Sequence, residues 1–331
     1  MSKIDYENLS DEQKAQIEAI IESKESPEET ERKRIYELLE VDEKGRVKQT
    51  NHNCQIVLAN DPLFEGAIRF NEFSEKIEIC RELGWKRYSK AYCDNDLNHI
   101  ITYMELRYGL KNDRQIDRAI KIIANDNGYH PIKEKLLSVK WDGKKRLADA
   151  LHYFLGVKKT ELATESLKLF MLGAIERVFN PGCKFELMLC LAGGQGAGKS
   201  TFLRFLAMED TYFTDDIKKL DDDRVFQKLQ GHWIVEMPEM LAILNAKRVE
   251  ETKSFVSRQY DNYRTPYETY AIDHPRQCVF AGTSNNTQFL PVDRSGNRRF
   301  LPIEVNMREA ECHILENEAA SRAYIEQLWA E

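Results

Sequence analysis

The spacing of apolar positions changes period along this chain, and each change marks an element. Ala67 to Phe70 and Lys76 to Cys80, separated by Asn71 to Glu75, read as a β-hairpin. Asp96 to Tyr108 and Asp113 to Asn125 have helical spacing. Ile100, Ile101 and Met104 form one apolar face, Ile116, Ile120 and Ile123 the other, and Gly109 is the stop between them. Two more helices are predicted over 145–155 and 160–179, the second carrying Leu162, Leu167, Phe170, Met171, Ala174, Ile175 and Val178 before Pro181-Gly182 ends it. Short apolar runs then replace the helical pattern: Leu187 to Ala192, the stretch from His232, the stretch from Gln277 and the stretch ending at Val305. These read as strands.

The start of the chain is more polar. Ser10 offers an N-cap for a helix over 11–23, and Ser26-Pro27-Glu28 opens another through Tyr36, Leu38 and Leu39. Their apolar faces are thin, which predicts a charged, peripheral helical arm over 1–48. Residues 49–143 read as a small mixed α/β domain and 144–331 as the main core with its leading helices. Pro131 is expected to block helix continuation, and Asp142-Gly143 is a turn signal, so 130–143 reads as a connector. The two helices around Gly109 can form a helix-turn-helix, but most such pairs are simply packed helices, and that is the first reading here. Asp94 and Asp96 lack a third ligand at metal spacing and suit capping of the helix that follows.

The chemistry concentrates after the first strand of the core. Gly193-Gly194-Gln195-Gly196-Ala197-Gly198-Lys199-Ser200 is a complete P-loop pattern, between an apolar strand and a helix that begins near Lys199. A loop whose N–H groups all turn inward on phosphate oxygens favours residues without a Cβ, here Gly193, Gly194, Gly196 and Gly198. Gln195, Ala197 and Thr201 complete the stretch expected to hold the nucleotide. Lys199 is expected on the β- and γ-phosphates of ATP and the Ser200 hydroxyl on Mg²⁺.

Three strand ends supply the rest. His232 to Glu239 is an apolar strand ending in Glu236, with Glu239 three residues on. Glu236 is expected on the Mg²⁺ side and Glu239 as the base for the attacking water, although the two roles can be exchanged. The strand from Gln277 ends in small residues and then Asn285, whose amide both donates and accepts and can orient water near the γ-phosphate. Arg298 and Arg299 precede the last strand; either can stabilise charge on the transferred phosphoryl group or form a structural ion pair. Between the second and third of these strands, Lys253, Arg258 and Arg264 interleave with Phe255, Tyr260, Tyr263 and Tyr267. That mixture suits single-stranded DNA, and a helix to about Arg258 followed by a hairpin explains it equally well.

Composition narrows the class. At 331 residues, 42% hydrophobic and 31% charged, the chain has enough apolar content for a folded core and no run near the ~20 residues of a membrane span. The seven cysteines are scattered with no C-x-x-C pair, which with a polar N-terminus predicts reduced thiols in a cytoplasm. A net charge of −7 confines any nucleic-acid contact to a local patch or to a ring of several copies.

Taken together, Gly193 to Leu203, Gly231 to Glu239, Lys253 to Tyr267 and Pro275 to Pro302 resemble the virulence-associated protein E family of phage, plasmid and pathogenicity-island proteins. Weaker likeness lies at Asn71-Glu72-Phe73, Asp94-x-Asp96 and His130-Pro131 through Trp141-Asp142-Gly143. The family is similar to superfamily 3 replicative helicases within the AAA+ ATPases. The resemblance implies an α/β core with central parallel strands flanked by helices, and a homo-oligomeric (hexameric) ring with ATP between subunits. It implies the sensor role for Asn285, the finger role for Arg298 or Arg299, and a DNA-facing hairpin over Lys253 to Tyr267. Relatives usually continue into a helical lid, whereas about one helix follows Val305 here. The ExxE spacing of Glu236 and Glu239 also departs from the usual adjacent acids. The reading is therefore an ATP-hydrolysing DNA helicase acting on single-stranded or forked DNA. The alternative is an ATP-switched binding module that recruits or inhibits replication proteins.

Overall fold

The computed structural model describes residues 10, 26–217, 220, 225–238, 246–264, 270–286 and 297–331. The predicted helix over 11–23 lies outside them. The chain divides into two compact units, one of residues up to 72 with 76–129, the other of 73–75 with 130–331.

In the first unit, α1 (Pro27–Leu38), α2 (Asn51–Asn60), α3 (Asp94–Tyr108) and α4 (Asp113–Asp126) accompany the hairpin of β1 (Ile68–Asn71) and β2 (Lys76–Ile79). The hairpin and the helix pair stand where the apolar spacing puts them, and Gly109 closes α3 at φ +68°. The arm expected to be peripheral is instead partly core. Ser26 and Glu29 form a capping box that starts α1, and Ile35 and Leu39 are buried with Val57, Ile100 and Ile120. Asp96 works as a cap, accepting the Cys93 N–H at 3.1 Å, and it is also fully buried on Arg87 Nε and Trp85 Nε1, both at 2.8 Å.

The second unit runs α5 (Pro131–Ser138), α6 (Ala150–Leu155), α7 (Glu161–Phe179), β3 (Met188–Ala192), α8 (Lys199–Leu206), β4 (Phe213–Thr214), α9 (Val225–Leu229), β5 (Ile234–Pro238), α10 (Ala246–Val256), β6 (Tyr260–Tyr263), β7 (Ile272–Pro275), β8 (Val279–Ser284), β9 (Phe300–Glu304) and α11 (Glu318–Ala330). Pro131 starts a helix rather than blocking one. It occupies the first turn, where its missing N–H is harmless, and the His130 ring caps the Lys133 N–H at 3.3 Å.

The sheet is parallel throughout, in the order β4-β5-β8-β3-β9. β3 and β8 are buried along their whole length, which is why both read as unbroken apolar or small runs. Helices cover the sheet: Leu167, Phe170 and Ala174 of α7, Phe202 and Phe205 of α8 and Trp329 of α11 share one core with Leu189, Ile234 and Ala281. Trp233 stacks on Trp329 at 4.6 Å and donates to Ala174 O at 3.0 Å. After β9 the chain is held down by α6. Gly156, at φ +61°, has no room for a Cβ, which would lie 1.9 Å from Asn306 O.

Two outcomes are expected. Burial pushes the Asp96 carboxyl up, but hydrogen bonds from Arg87, Trp85 and Cys93 together hold it below its ordinary 3.8. A depressed carboxyl stabilises the fold above its ordinary range and loses that contribution as pH falls through the lowered value. Asp96→Ala should therefore cost about 2–4 kcal/mol in urea unfolding near neutrality, with the gap to wild type closing in acid. Gly156→Ala should cost about 2–3 kcal/mol in the same assay, from strain and displacement of the chain after β9.

Candidate functional site

The P-loop joins β3 to α8, and its shape comes from a few backbone demands. Gly196 and Gly198 stand at φ +77° and +78°, in the left-handed region, and Gly198 caps α8. Gly193 is glycine for a different reason: a Cβ there would lie 2.4 Å from Val305 O, where the chain leaves β9. The expectation that all four glycines are required is narrowed at Gly194, where φ is not positive and a Cβ meets nothing within 4 Å among the described residues.

Lys199, the first residue of α8, is folded into this loop. Its Nζ donates to Gly193 O at 2.6 Å, Gly194 O at 2.7 Å and Asn285 Oδ1 at 3.4 Å. Burial lowers its pKa, and the Glu236 carboxylate acts in the opposite direction. One turn of the chemistry further, Ser200 Oγ donates to Glu236 Oε1 at 2.7 Å, and Thr283 Oγ1 donates to the same oxygen. Glu236 has no solvent exposure, and its buried Oε2 has no hydrogen-bond partner among the described residues. Burial raises the carboxyl above its ordinary value, opposed by the Thr283 and Ser200 hydrogen bonds.

The topology explains how these groups meet. β8 lies between β3 and β5, so its tip carries Thr283, Ser284 and Asn285 between the loop and the acid. Glu236 does not end its strand as expected: β5 continues to Pro238, which pairs in register with Thr283, so the acid stands inside the sheet. A cavity of about 380 Å³ is lined by Gln195 through Thr201, by Glu236, Thr283, Ser284 and Asn285, and by Asp215, Pro238, His313 and Leu315. Phosphate oxygens would meet the loop and Lys199 on one wall. A hard cation would meet Ser200 Oγ and Glu236 beside them.

Other expected site residues are dispersed. Glu239 and Tyr267 lie outside the described residues. Arg298 is exposed, whereas Arg299 Nε is bound to Glu186 Oε2 at 3.1 Å. Lys253 is a correction: its side chain is 4% exposed and its Nζ bonds Glu250 at 2.6 Å, because the face of α10 that carries it turns inward beside Thr252 and buried Phe255. Arg258 and Arg264 are exposed on either side of β6, with Arg258 lying 5.1 Å over the Phe226 ring. β6 and β7 form the antiparallel hairpin that local structure predicts, with Tyr260 exposed and Tyr263 stacked on His274 at 3.9 Å. Sequence reasoning missed Thr283, Asp215, His313 and Leu315. Thr283 stood in the polar tip already recognised at Asn285. The others follow a two-residue strand and an irregular loop, which carry no periodic signal.

Fold and site together define a P-loop α/β protein with a strand inserted between the loop strand and the acid strand. The chain belongs to the Virulence-associated protein E-like domain family, which matches residues 136–331. No curated protein matches it. Among solved structures it is similar to the apo NrS-1 C-terminal region (305–718), with TM-score 0.53 and 18% identity, over 86% of this chain and 68% of that one. A second apo structure of the NrS-1 C-terminal region gives TM-score 0.49 and 17% identity over 80% of this chain. This chain spans 65% of that second structure's length. The former likeness shows a shared fold. Among the described residues no helix is long and apolar enough to cross a membrane.

The glycines separate cleanly in test. Gly193→Ala should lower stability by about 2–3 kcal/mol because Val305 O must move, while Gly194→Ala should be neutral or slightly stabilising in the same denaturation assay.

Proposed function

We propose that the chain is a Mg²⁺-dependent ATPase of the superfamily 3 helicase type, acting on single-stranded or forked DNA in the replication system of a phage, plasmid or pathogenicity island. The observation that carries the reading is the Glu236 carboxylate, buried in the cavity lining beside the P-loop, with one oxygen on Ser200 and Thr283 and the other without a partner among the described residues. An uncompensated buried carboxylate is costly, and a divalent cation held by Ser200 and Glu236 would offset that cost. Bound there, Mg²⁺ supplies neutralisation of phosphate charge.

The chain's own residues have distinct tasks in this reading. The N–H groups from Gly194 to Ser200 cradle the phosphates, and Lys199 exchanges the Gly193 and Gly194 carbonyls for phosphate oxygens. Asn285 orients the attacking water and Glu239 takes its proton. The finger comes from a neighbouring copy in a ring; Arg298, being exposed, is better placed than Arg299, which Glu186 holds. DNA is met by the β6–β7 hairpin through Arg258, Arg264 and exposed Tyr260. A cytoplasmic setting belongs to the same proposal.

The burial of Lys253 weakens the DNA-facing surface and favours a second reading, an ATP-switched module that binds replication proteins without unwinding. Steady-state ATP turnover with and without single-stranded DNA separates the two. DNA stimulation in wild type, with at least about a 100-fold loss in Lys199→Ala, is expected for the motor. Turnover indifferent to DNA, with nucleotide-dependent capture of a replication protein, moves the assignment to the switch. No ATP binding at all sinks both.

A further inference from the structure

The P-loop cavity has a wall that the phosphate chemistry does not use. It is built by the loop between β9 and α11, which places His313 and Leu315 in the lining. This loop is fixed in place. Gly156 receives Asn306 O against its backbone, Asn306 N–H donates to Leu155 O at 3.1 Å and Cys312 N–H donates to Tyr153 O at 3.0 Å. Ile314 is fully buried in the core that holds α8, and its Cγ2 would stand 3.1 Å from a Cβ at Gly198. His313 and Leu315 therefore flank a plug driven in beside the N-cap of α8.

The two side chains have complementary chemistry. Leu315 is apolar and 49% exposed where it borders a polar cavity. The His313 ring is oriented by its own turn, because Nδ1 accepts the Leu315 N–H at 3.2 Å. In the neutral ring that bond leaves the proton on Nε2, so His313 offers the cavity an N–H donor. An apolar surface beside a single oriented donor suits a flat heteroaromatic ring with in-plane acceptor nitrogens, and does not suit a phosphate, which gains nothing from leucine.

We infer that His313 and Leu315 form the nucleobase subsite of the P-loop cavity, so that the site selects nucleoside triphosphates over the bare phosphate chain. This rests on the nucleotide reading proposed above and extends it to the base. The base would cover Leu315 and accept from His313 Nε2, while the loop and Lys199 hold the phosphates.

Titration calorimetry of the full chain with Mg²⁺, comparing ATP with inorganic tripolyphosphate, tests it. Wild type should bind ATP more tightly than tripolyphosphate. His313→Ala and Leu315→Ala should each weaken ATP about five- to tenfold and leave tripolyphosphate unchanged, which also shows that the variants fold. His313→Ser keeps a hydroxyl able to accept the N–H two residues on, but has no ring to reach the base. It should be as weak for ATP as His313→Ala. Recovery of ATP binding in His313→Ser would reduce His313 to a holder of the turn and overturn the assignment. Equal affinities of wild type for ATP and tripolyphosphate, or equal losses for both in the variants, would overturn it too. Lys199→Ala should weaken both ligands, and a wild type that binds neither overturns the nucleotide reading itself.

Discussion

A single buried carboxylate organises the second unit. Glu236 brings together the first turn of α8 through Ser200 and the inserted strand through Thr283, so three elements that are remote in sequence are tied at one oxygen. The interaction is favourable only in part. The other oxygen is buried without a partner among the described residues, and the lysine that would balance its charge is engaged with loop carbonyls. Such a group adds little to stability. Its value lies in readiness, because the polar tips, the acid and the loop are already fixed in relation to one another by the sheet.

That fixity extends to the chain after β9. Gly193 meets Val305, Gly198 meets Ile314 and Gly156 meets Asn306, so the P-loop is clasped between the last strand and the loop that follows it. Of the P-loop glycines discussed above, two thus answer to contacts with the rest of the fold as well as to phosphate.

The sequence made the strongly periodic and strongly punctuated parts legible. The hairpin at 68–79, the helices on either side of Gly109, the P-loop and the strand that ends before Asn285 could be read because apolar spacing or glycine chemistry fixes them locally. The helix at Pro131 was misread because proline has opposite meanings at the first turn and in the interior, and only the His130 cap decides between them. Lys253 was misread because a cation among aromatics looks the same whether its helix faces water or core. The burial of Glu236 depends on the pairing of its strand with β8, and His313 and Leu315 come to the cavity through an irregular loop. Neither is encoded by spacing within its own segment.

The strand order also has a cost in time. Among the described residues β3 pairs only with β8 and β9, and Ser284, at the end of β8, comes 92 residues after Ala192. At ribosomal rates of about 5–20 residues per second, Met188 to Ala192 emerges and waits on the order of 5–20 s before either neighbour exists. During that interval the most apolar strand of the sheet has two open edges. The early helices α6 and α7, made before it, are what a nascent chain can offer as cover, and they share its core in the finished fold through Phe154, Leu167 and Phe170.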